Sequence, residues 1–326
     1  MGIAKDNEST NAMGGTELLK HELENRLPSE LLNKFQIFVS RVHEDLDETK
    51  LRLLWCHDLA ADPSNNHLHN SGWNKFHRII FVSHTQMNEY INMYKIPHSK
   101  CVVLLNAINP IEKHEKPKDV IRLGYWSTPH RGLNILLPVF NELCNKYSNI
   151  ELDVYSSFKI YGRDAADEHY QDLYDFCNNH DKINYHGSVS NSIIRERIKN
   201  IHILAYPSIW QETSCLTLME AMSGGCLPVH SDLGALPETA ANWTLQYRYD
   251  ENLNDHAAIF YRALDLAIST LYDEGIQSRI ASMQAYANVF YNWDTRIQQW
   301  IALMKSIENE LTDLPKPTFN YTSLQS

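Results

Sequence analysis

The amino-acid sequence predicts an α/β protein built from two parallel sheets, each covered by helices. Ten short apolar segments have strand character, and helix-length segments separate most of them. Such alternation is typical of parallel strands joined by helical crossovers. A charged, proline-bearing linker at 111–120 divides these strands into a group of four and a group of six. The predicted strands are 36–42, 51–56, 78–83, 101–105, 121–127, 151–157, 183–187, 201–207, 226–231 and 243–247.

This division predicts two domains and a tail. The first domain covers 1–112, the second 113–291, and a polar tail covers 312–326. The six strands after the linker alternate strictly with helices, as in one complete doubly wound domain. The first domain is less regular, because only a short strand at Met1 to Lys5 stands where such a domain normally opens.

The pattern at 294–308 predicts a final helix. Ile297, Trp300, Ile301 and Met304 recur at helical spacing and form one apolar face. From these residues alone, the helix could close the second domain or cross back and pack on the first.

Composition limits the class of partner. The formal net charge of −11 over 326 residues argues against a general nucleic-acid binder, because such affinity comes from Lys and Arg displacing counterions. The densest basic run, at 193–200, is interrupted by Glu196 and is expected to be a solvated helix face.

The cysteines and the apolar runs indicate a cytoplasmic protein. The six cysteines have neither C-x-x-C nor zinc spacing, so we expect buried, reduced thiols. No apolar run approaches the length that spans a bilayer, which leaves only peripheral contact with a membrane open. We therefore expect the protein to be located in the cytoplasm, or in the host cytoplasm if it is of viral origin.

Two carboxylates, Glu212 and Glu220, stand eight residues apart in the otherwise apolar segment 211–229. On a helix this spacing is about 12 Å of rise, too far for the two groups to share a proton or one small metal ion. We expect a helix that starts around 213–215 and ends at Gly224 and Gly225. The free N–H groups of 213–217 would then lie between the acids, which suits a ligand with hydroxyls at both ends and negative charge in the middle, such as a nucleotide sugar. The alternative is that Thr217 and Glu220 form a capping box and Glu212 is solvated.

A second candidate site follows the strand at 121–127. Thr128 is a credible helix N-cap, Pro129 fits the first turn, and Arg131 would place a fixed cation beside an anion. We expect Gly132 to lie inside that helix, at a cost of about 1 kcal/mol relative to Ala. Close passage of a ligand or another backbone would explain this glycine; an ordinary capped helix with a surface Arg is the alternative.

The first domain offers weaker signals. Gly14 and Gly15 precede a helix and would allow a phosphate to approach the backbone. His57, at the end of a strand, is the one histidine we single out as a candidate site residue. The chain lacks G-x-G-x-x-G and G-x-x-x-x-G-K-[ST], so neither a dinucleotide dehydrogenase nor a P-loop enzyme is supported.

Taken together, these segments resemble the retaining, nucleotide-sugar-dependent glycosyltransferases of family four, also called glycosyl transferases group 1. The resemblance covers nearly the whole chain. It implies the GT-B fold, in which two Rossmann-like domains face a central cleft, and a C-terminal crossover helix at about 292–310. It rests on five segments in order: GGTE (14–17), NAIN (106–109), HRGL (130–133), the pair Glu212 and Glu220 followed by SDLGALPE (231–238), and YNWDTRIQQW (291–300).

The resemblance also implies roles for single residues. Glu220 would bind the ribose, Glu212 the donor sugar, Arg131 the diphosphate, and His57 would lie beside the reacting sugar. No cofactor or metal is implied, only a UDP- or GDP-sugar donor and a hydroxyl acceptor on a glycan or small molecule. The remaining donor-binding residues would be Gly14, Gly15, Ser127, Thr128, Gly187, Ser188, Val189, Thr213, Ser214, Cys215, Leu216 and Thr217.

The chain departs from the family pattern in ways that keep alternatives open. Only one cation is assured for the diphosphate, and Ala107 replaces the glycine of the N-G-x-D strand end. The compact first domain and the segment 154–162 are similar to phage and cyanobacterial members. A non-catalytic module that binds nucleotide sugar or glycan, or a DNA-modifying transferase, are the competing functions.

Overall fold

The computed structural model describes residues 14–42 and 45–313, with side chains to residue 310, and contains two parallel sheets. All ten predicted strands in this part of the chain are confirmed, and the α/β class is confirmed with them. The short strand expected at Met1 to Lys5 lies outside the described residues.

The first lobe is a four-stranded sheet in sequential order, β1-β2-β3-β4. Its strands are nearly all apolar because both faces are covered, as parallel sheets require. Its elements are α1 (Gly15–Arg26), α2 (Ser29–Lys34), β1 (Phe35–Val39), β2 (Leu51–Cys56), β3 (Arg78–Phe81), α3 (His84–Tyr94) and β4 (Cys101–Val103).

The second lobe is a six-stranded sheet in the order β10-β9-β8-β5-β6-β7. The order reverses at β5, whose neighbours are β8 and β6. Its elements are β5 (Ile121–Trp126), α4 (Leu133–Lys146), β6 (Ile150–Tyr155), α5 (Gln171–Asn179), β7 (Ile183–Tyr185), α6 (Asn191–Ile198), β8 (Ile203–Tyr206), α7 (Leu216–Ser223), β9 (Leu227–Ser231), α8 (Leu236–Ala240), β10 (Leu245–Tyr247), α9 (Leu253–Thr270) and α10 (Glu274–Phe290).

The last helix, α11 (Trp293–Asp313), packs on the first lobe. Trp300 is 1% exposed and meets Trp55 of β2 edge to face, with ring centroids 5.1 Å apart. Ile297 and Met304 are buried in the same cluster as Leu23 of α1. The apolar face that the sequence indicates therefore covers one side of the first sheet.

The six cysteines are free, as expected. Four are buried, whereas Cys101 and Cys144 are partly exposed, so the expectation of uniformly buried thiols is wrong for these two. Within the described part of the chain, no helix is both long and apolar enough to cross a bilayer.

Candidate active site

A cleft of about 1130 Å³ lies between the two sheets and is lined by residues of both lobes. In the second lobe it lies at the carboxyl ends of β8, β5 and β6, next to the reversal of strand order. Open α/β sheets bind ligands at such a reversal, because neighbouring crossovers there leave a crevice. Every sequence-predicted site residue except Gly14 lines this cleft.

Arg131 and Glu212 form an ion pair at the wall of the cleft. Arg131 Nη1 lies 2.5 Å from Glu212 Oε1, and the Tyr206 hydroxyl donates to the same oxygen at 2.6 Å. Burial alone lowers the pKa of Arg131, but the Glu212 carboxylate and nearby tyrosines raise it well above its ordinary value. The guanidinium therefore stays charged and oriented, and its Nε has no hydrogen-bond partner within the described residues.

The turn that carries Arg131 differs from the expected capped helix. Pro129–Arg131 is a 3-10 turn, and the Thr128 side chain makes no cap hydrogen bond. Gly132 does not lie inside the helix: it joins the turn to α4 with φ +115°. A Cβ there would lie 2.1 Å from the Pro207 carbonyl oxygen, so the glycine is required by a backbone passing close.

Glu212 is fixed by the segment 231–238. Its carbonyl accepts from the Ala235 N–H at 2.8 Å, and it forms an isolated parallel bridge with Gly234. Gly234 has φ +62°, and a Cβ would lie 2.6 Å from the Glu212 carbonyl oxygen. The side chain of Glu212 is 5% exposed, which excludes the alternative that it is a solvated loop residue.

Glu220 lies on α7 and is held by two residues of α6. Asn191 Nδ2 donates to Glu220 Oε1 at 2.9 Å, and Arg195 Nη1 lies 3.9 Å from the same oxygen. Burial raises the pKa of Glu220, and these two partners oppose the rise. The expectation of a solvated basic face at 193–200 is therefore wrong for Arg195.

The helix α7 begins at Leu216, one residue later than the expected range, and ends at Ser223 with Gly224 as its C-cap, so the glycines stop it as expected. Cys215 is its N-cap, so the capping-box alternative is wrong. The Thr217 hydroxyl instead donates to the Trp126 carbonyl of β5 at 2.9 Å. This bond sets the start of α7 beside the end of β5, at the cleft.

The first lobe contributes His57 and the start of α1. Burial lowers the pKa of His57 to about 3, so its imidazole is neutral, and Nε2 has no partner within the described residues. Thr213 Oγ1 donates to the His57 carbonyl at 2.7 Å, which joins the two lobes across the cleft. Gly15 lines the cleft, whereas Gly14 does not, because Tyr161 and Glu17 pack against its Cα.

The loop after β7 forms the far end of the cleft. Gly187 has φ +63°, and Ser188 and Val189 line the cleft beside it. The His186 ring stacks on Tyr155 at 4.4 Å.

Several buried polar atoms of the cleft have no hydrogen-bond partner among the described residues, although buried polar groups normally have one. Hydroxyl, imidazole, indole and amide groups are all represented, so a polar ligand could bind by many contacts. These atoms are His57 Nε2, Asn106 Oδ1, Trp126 Nε1, Thr128 Oγ1, His130 Nδ1, Arg131 Nε, Tyr155 Oη and Ser214 Oγ.

The cleft is not basic. Its described lining has five carboxylates and three guanidinium groups, which disfavours a long polyanion such as DNA. Within residues 14–42 and 45–310, no group of three or more His, Cys, Asp or Glu side chains could hold a metal ion.

Sequence reasoning missed Tyr161, Asn191, Arg195 and Tyr206. Each contacts a predicted site residue or its neighbour. No local signal marks the first three, because their partners are distant in the chain. Tyr206 is the last residue of β8, and its position at a strand end was a usable indication.

Residues 106–268, half of the chain, match the model of the family described as glycosyl transferases group 1. One component of the phosphatidylinositol N-acetylglucosaminyltransferase of Arabidopsis thaliana is 23% identical over 219 residues. The aligned part is 64% of this chain and 46% of that protein, so the chain spans less than half the length of this relative.

Solved glycosyltransferase structures have the same fold. A glycosyltransferase from Rickettsia africae superposes with a TM-score of 0.68 at 14% identity, covering 94% of this chain and 84% of that one. HepE of Anabaena, solved in complex with UDP-glucose, superposes with a TM-score of 0.60 at 16% identity. The superposition covers 79% of this chain and 72% of that one. These likenesses establish the GT-B arrangement of two lobes.

Proposed function

The chain belongs to the family of glycosyl transferases group 1, and on that premise we propose that it is a retaining, metal-independent glycosyltransferase of family four. It transfers a sugar from a UDP- or GDP-sugar to a hydroxyl of a glycan or small molecule. One observation carries the proposal: Arg131 is partly buried in the cleft wall and oriented by Glu212, and its Nε–H has no partner within the described residues.

The donor would lie along the carboxyl ends of β5 and β8. Arg131 and the N–H groups at the start of α7 would bind the diphosphate, with Ser127 and Thr128 as further donors. Glu220 would bind the ribose through Oε2, since its described contacts are to Oε1. Residues 187–189 would contact the base, and Glu212 with 213–215 would hold the sugar.

The reaction would break the bond between the anomeric carbon and the diphosphate oxygen. Negative charge then develops on the leaving diphosphate, where a fixed guanidinium lowers the barrier. The acceptor oxygen attacks from the same face, and its proton passes to the departing phosphate oxygen. The products are a nucleoside diphosphate and a glycoside with retained configuration, without an enzyme nucleophile or a metal.

His57 would act as a neutral hydrogen-bonding group beside the sugar. Its pKa of about 3 excludes a cationic imidazole at neutral pH. A neutral ring tolerates the positive charge that develops on the anomeric carbon, whereas a cation would oppose it.

We also propose that the lobes divide this work. Residues 1–112, with the crossover helix, would form the acceptor side, and 113–291 the donor side. The contact between Thr213 and the His57 carbonyl would then bring the reacting sugar to the acceptor. Closure of the lobes would exclude water and limit hydrolysis of the donor.

Incubation with UDP- and GDP-sugars separates this function from a non-catalytic binding module. Both functions predict binding, but only a transferase releases nucleoside diphosphate slowly when no acceptor is present. Proton NMR of the freed sugar before mutarotation reports its configuration, and the donor's own anomer is expected. Binding without release supports the module, and the inverted anomer contradicts the retaining mechanism.

Arg131→Ala tests the proposed diphosphate contact. A charged hydrogen bond contributes about 1.5–3 kcal/mol, so UDP or GDP affinity should fall roughly 10- to 100-fold. Arg262→Ala removes an exposed guanidinium of α9 and is the matched control. Unchanged affinity in Arg131→Ala, with the fold intact by circular dichroism, contradicts the assigned role.

A further inference from the structure

The segment after β6 forms one wall of the cleft, and the carboxylate of Asp167 ties it to α5. Asp167 accepts from Ser157 Oγ at 2.5 Å, from the Phe158 N–H at 2.8 Å and from the Tyr174 hydroxyl at 2.7 Å. These bonds and the Ser157 hydroxyl, which accepts from the Lys159 N–H at 3.0 Å, fix the 3-10 turn Phe158–Tyr161. The sequence singles this segment out only as a feature of compact relatives, and none of the roles proposed above uses it.

Tyr161, at the end of this turn, reaches across the cleft to the first lobe. Its Cε1 lies 2.5 Å from the position that a Cβ on Gly14 would take, so its ring packs on the backbone before α1. Only glycine allows this approach. The ring therefore lines the cleft together with the start of α1 and the turn of Arg131.

The hydroxyl of Tyr161 is a protonated donor in a charged environment. Burial raises its pKa above the ordinary value, and the charges of Arg131, Glu212 and Glu17 act on it. No hydrogen bond joins the hydroxyl to another residue of the described chain. An uncommitted O–H donor thus lies in the same part of the cleft as the ion pair of Arg131 and Glu212.

We propose that Tyr161 is a further donor-site residue, whose hydroxyl donates a hydrogen bond to the diphosphate beside the Arg131 guanidinium. This inference rests on the proposed function, since it needs a nucleoside diphosphate in the cleft. It adds a buried hydroxyl to the donors proposed above, Ser127 and Thr128, where the sequence assures only one cation. Because the ring contacts Gly14, the same residue joins donor binding to the position of the first lobe.

Tyr161→Phe tests this role, because it removes the hydroxyl and keeps the ring against Gly14. Isothermal titration would measure UDP, GDP, uridine and guanosine on the full chain. One of the two nucleoside diphosphates should bind wild type, and we expect its affinity to fall roughly 10- to 100-fold in Tyr161→Phe. The affinity for the corresponding nucleoside should stay unchanged. Lys159→Ala, an exposed residue of the same turn outside the cleft lining, is the control and should bind as wild type does.

The outcomes separate the two proposals. If wild type binds neither diphosphate, the proposed function fails and this inference with it. If wild type binds and Tyr161→Phe binds equally well, the role of Tyr161 is wrong and the function stands. An equal loss for nucleoside and diphosphate also overturns the role, because a phosphate contact cannot weaken a ligand that has no phosphate.

Discussion

Gly132→Ala is the substitution whose effect follows most directly from the structure. Gly132 has φ +115° and joins the turn of Arg131 to α4. Its carbonyl accepts from the N–H groups of Ile135 and Leu136, both at 3.0 Å, which starts the helix. The new methyl group would lie 2.1 Å from the Pro207 carbonyl oxygen and 2.9 Å from its carbon.

Two costs add. A non-glycine residue in a sparsely populated backbone region costs about 1–3 kcal/mol. Relief of the clash must move backbone, because Pro207 directly follows β8, and overpacking of this kind typically costs a further ~1–3 kcal/mol. We therefore expect the free energy of unfolding to fall by about 2–6 kcal/mol.

The same movement should disturb the site. Gly132 adjoins Arg131, and Pro207 begins the segment that leads to Glu212. Any separation of these backbones stretches the 2.5 Å contact between the guanidinium and the carboxylate. Affinity for UDP or GDP should therefore fall together with stability.

Urea unfolding, followed by circular dichroism, measures the first effect and isothermal titration the second. Gly275→Ala is the matched control: it lies in α10, has no atom within 4 Å of the new methyl group, and needs no left-handed backbone. It should be neutral or more stable by up to about 1 kcal/mol. If Gly132→Ala unfolds at the same urea concentration as wild type, the close approach of Pro207 is refuted.

Three further predictions concern separate parts of the molecule. Glu220→Gln should weaken uridine or guanosine binding about tenfold by titration calorimetry, because it removes the charged acceptor for the ribose hydroxyls. Glu196→Gln, which changes an exposed carboxylate, should leave this affinity unchanged. Equal affinity in both variants would contradict the ribose role of Glu220. His230 is buried and its folded pKa is lowered to about 4 from 6.5, so its stabilising effect is complete above pH 6.5 and is lost as the pH falls toward 4. Between pH 7 and pH 5, the free energy of unfolding of wild type in urea should therefore fall by about 2 kcal/mol more than that of His230→Gln. Equal pH dependence of the two proteins would refute this. Glu238, in the second lobe, accepts from the His84 and Thr85 N–H groups of the first lobe at 2.8 and 3.0 Å. Glu238→Ala should therefore increase the radius of gyration measured by X-ray scattering. An unchanged radius would mean that other contacts hold the lobes together.

The sequence by itself determined the elements of this fold. Strand segments such as 51–56 and 121–127 are mostly apolar, and this local pattern is independent of the rest of the chain. The glycines after α7 and the apolar face of α11 are equally local. Resemblance between ordered short motifs added the GT-B arrangement and placed nearly all site residues at one cleft.

Only the tertiary structure decided how those residues meet. Arg131 and Glu212 are 81 positions apart in the chain, and they pair because β5 and β8 are neighbours in the sheet. Tyr161 reaches the same place because β6 lies on the other side of β5. The order of strands depends on the packing of whole crossovers, which no short stretch of sequence encodes, so the ion pair and the tyrosine beside it could not be derived from spacing.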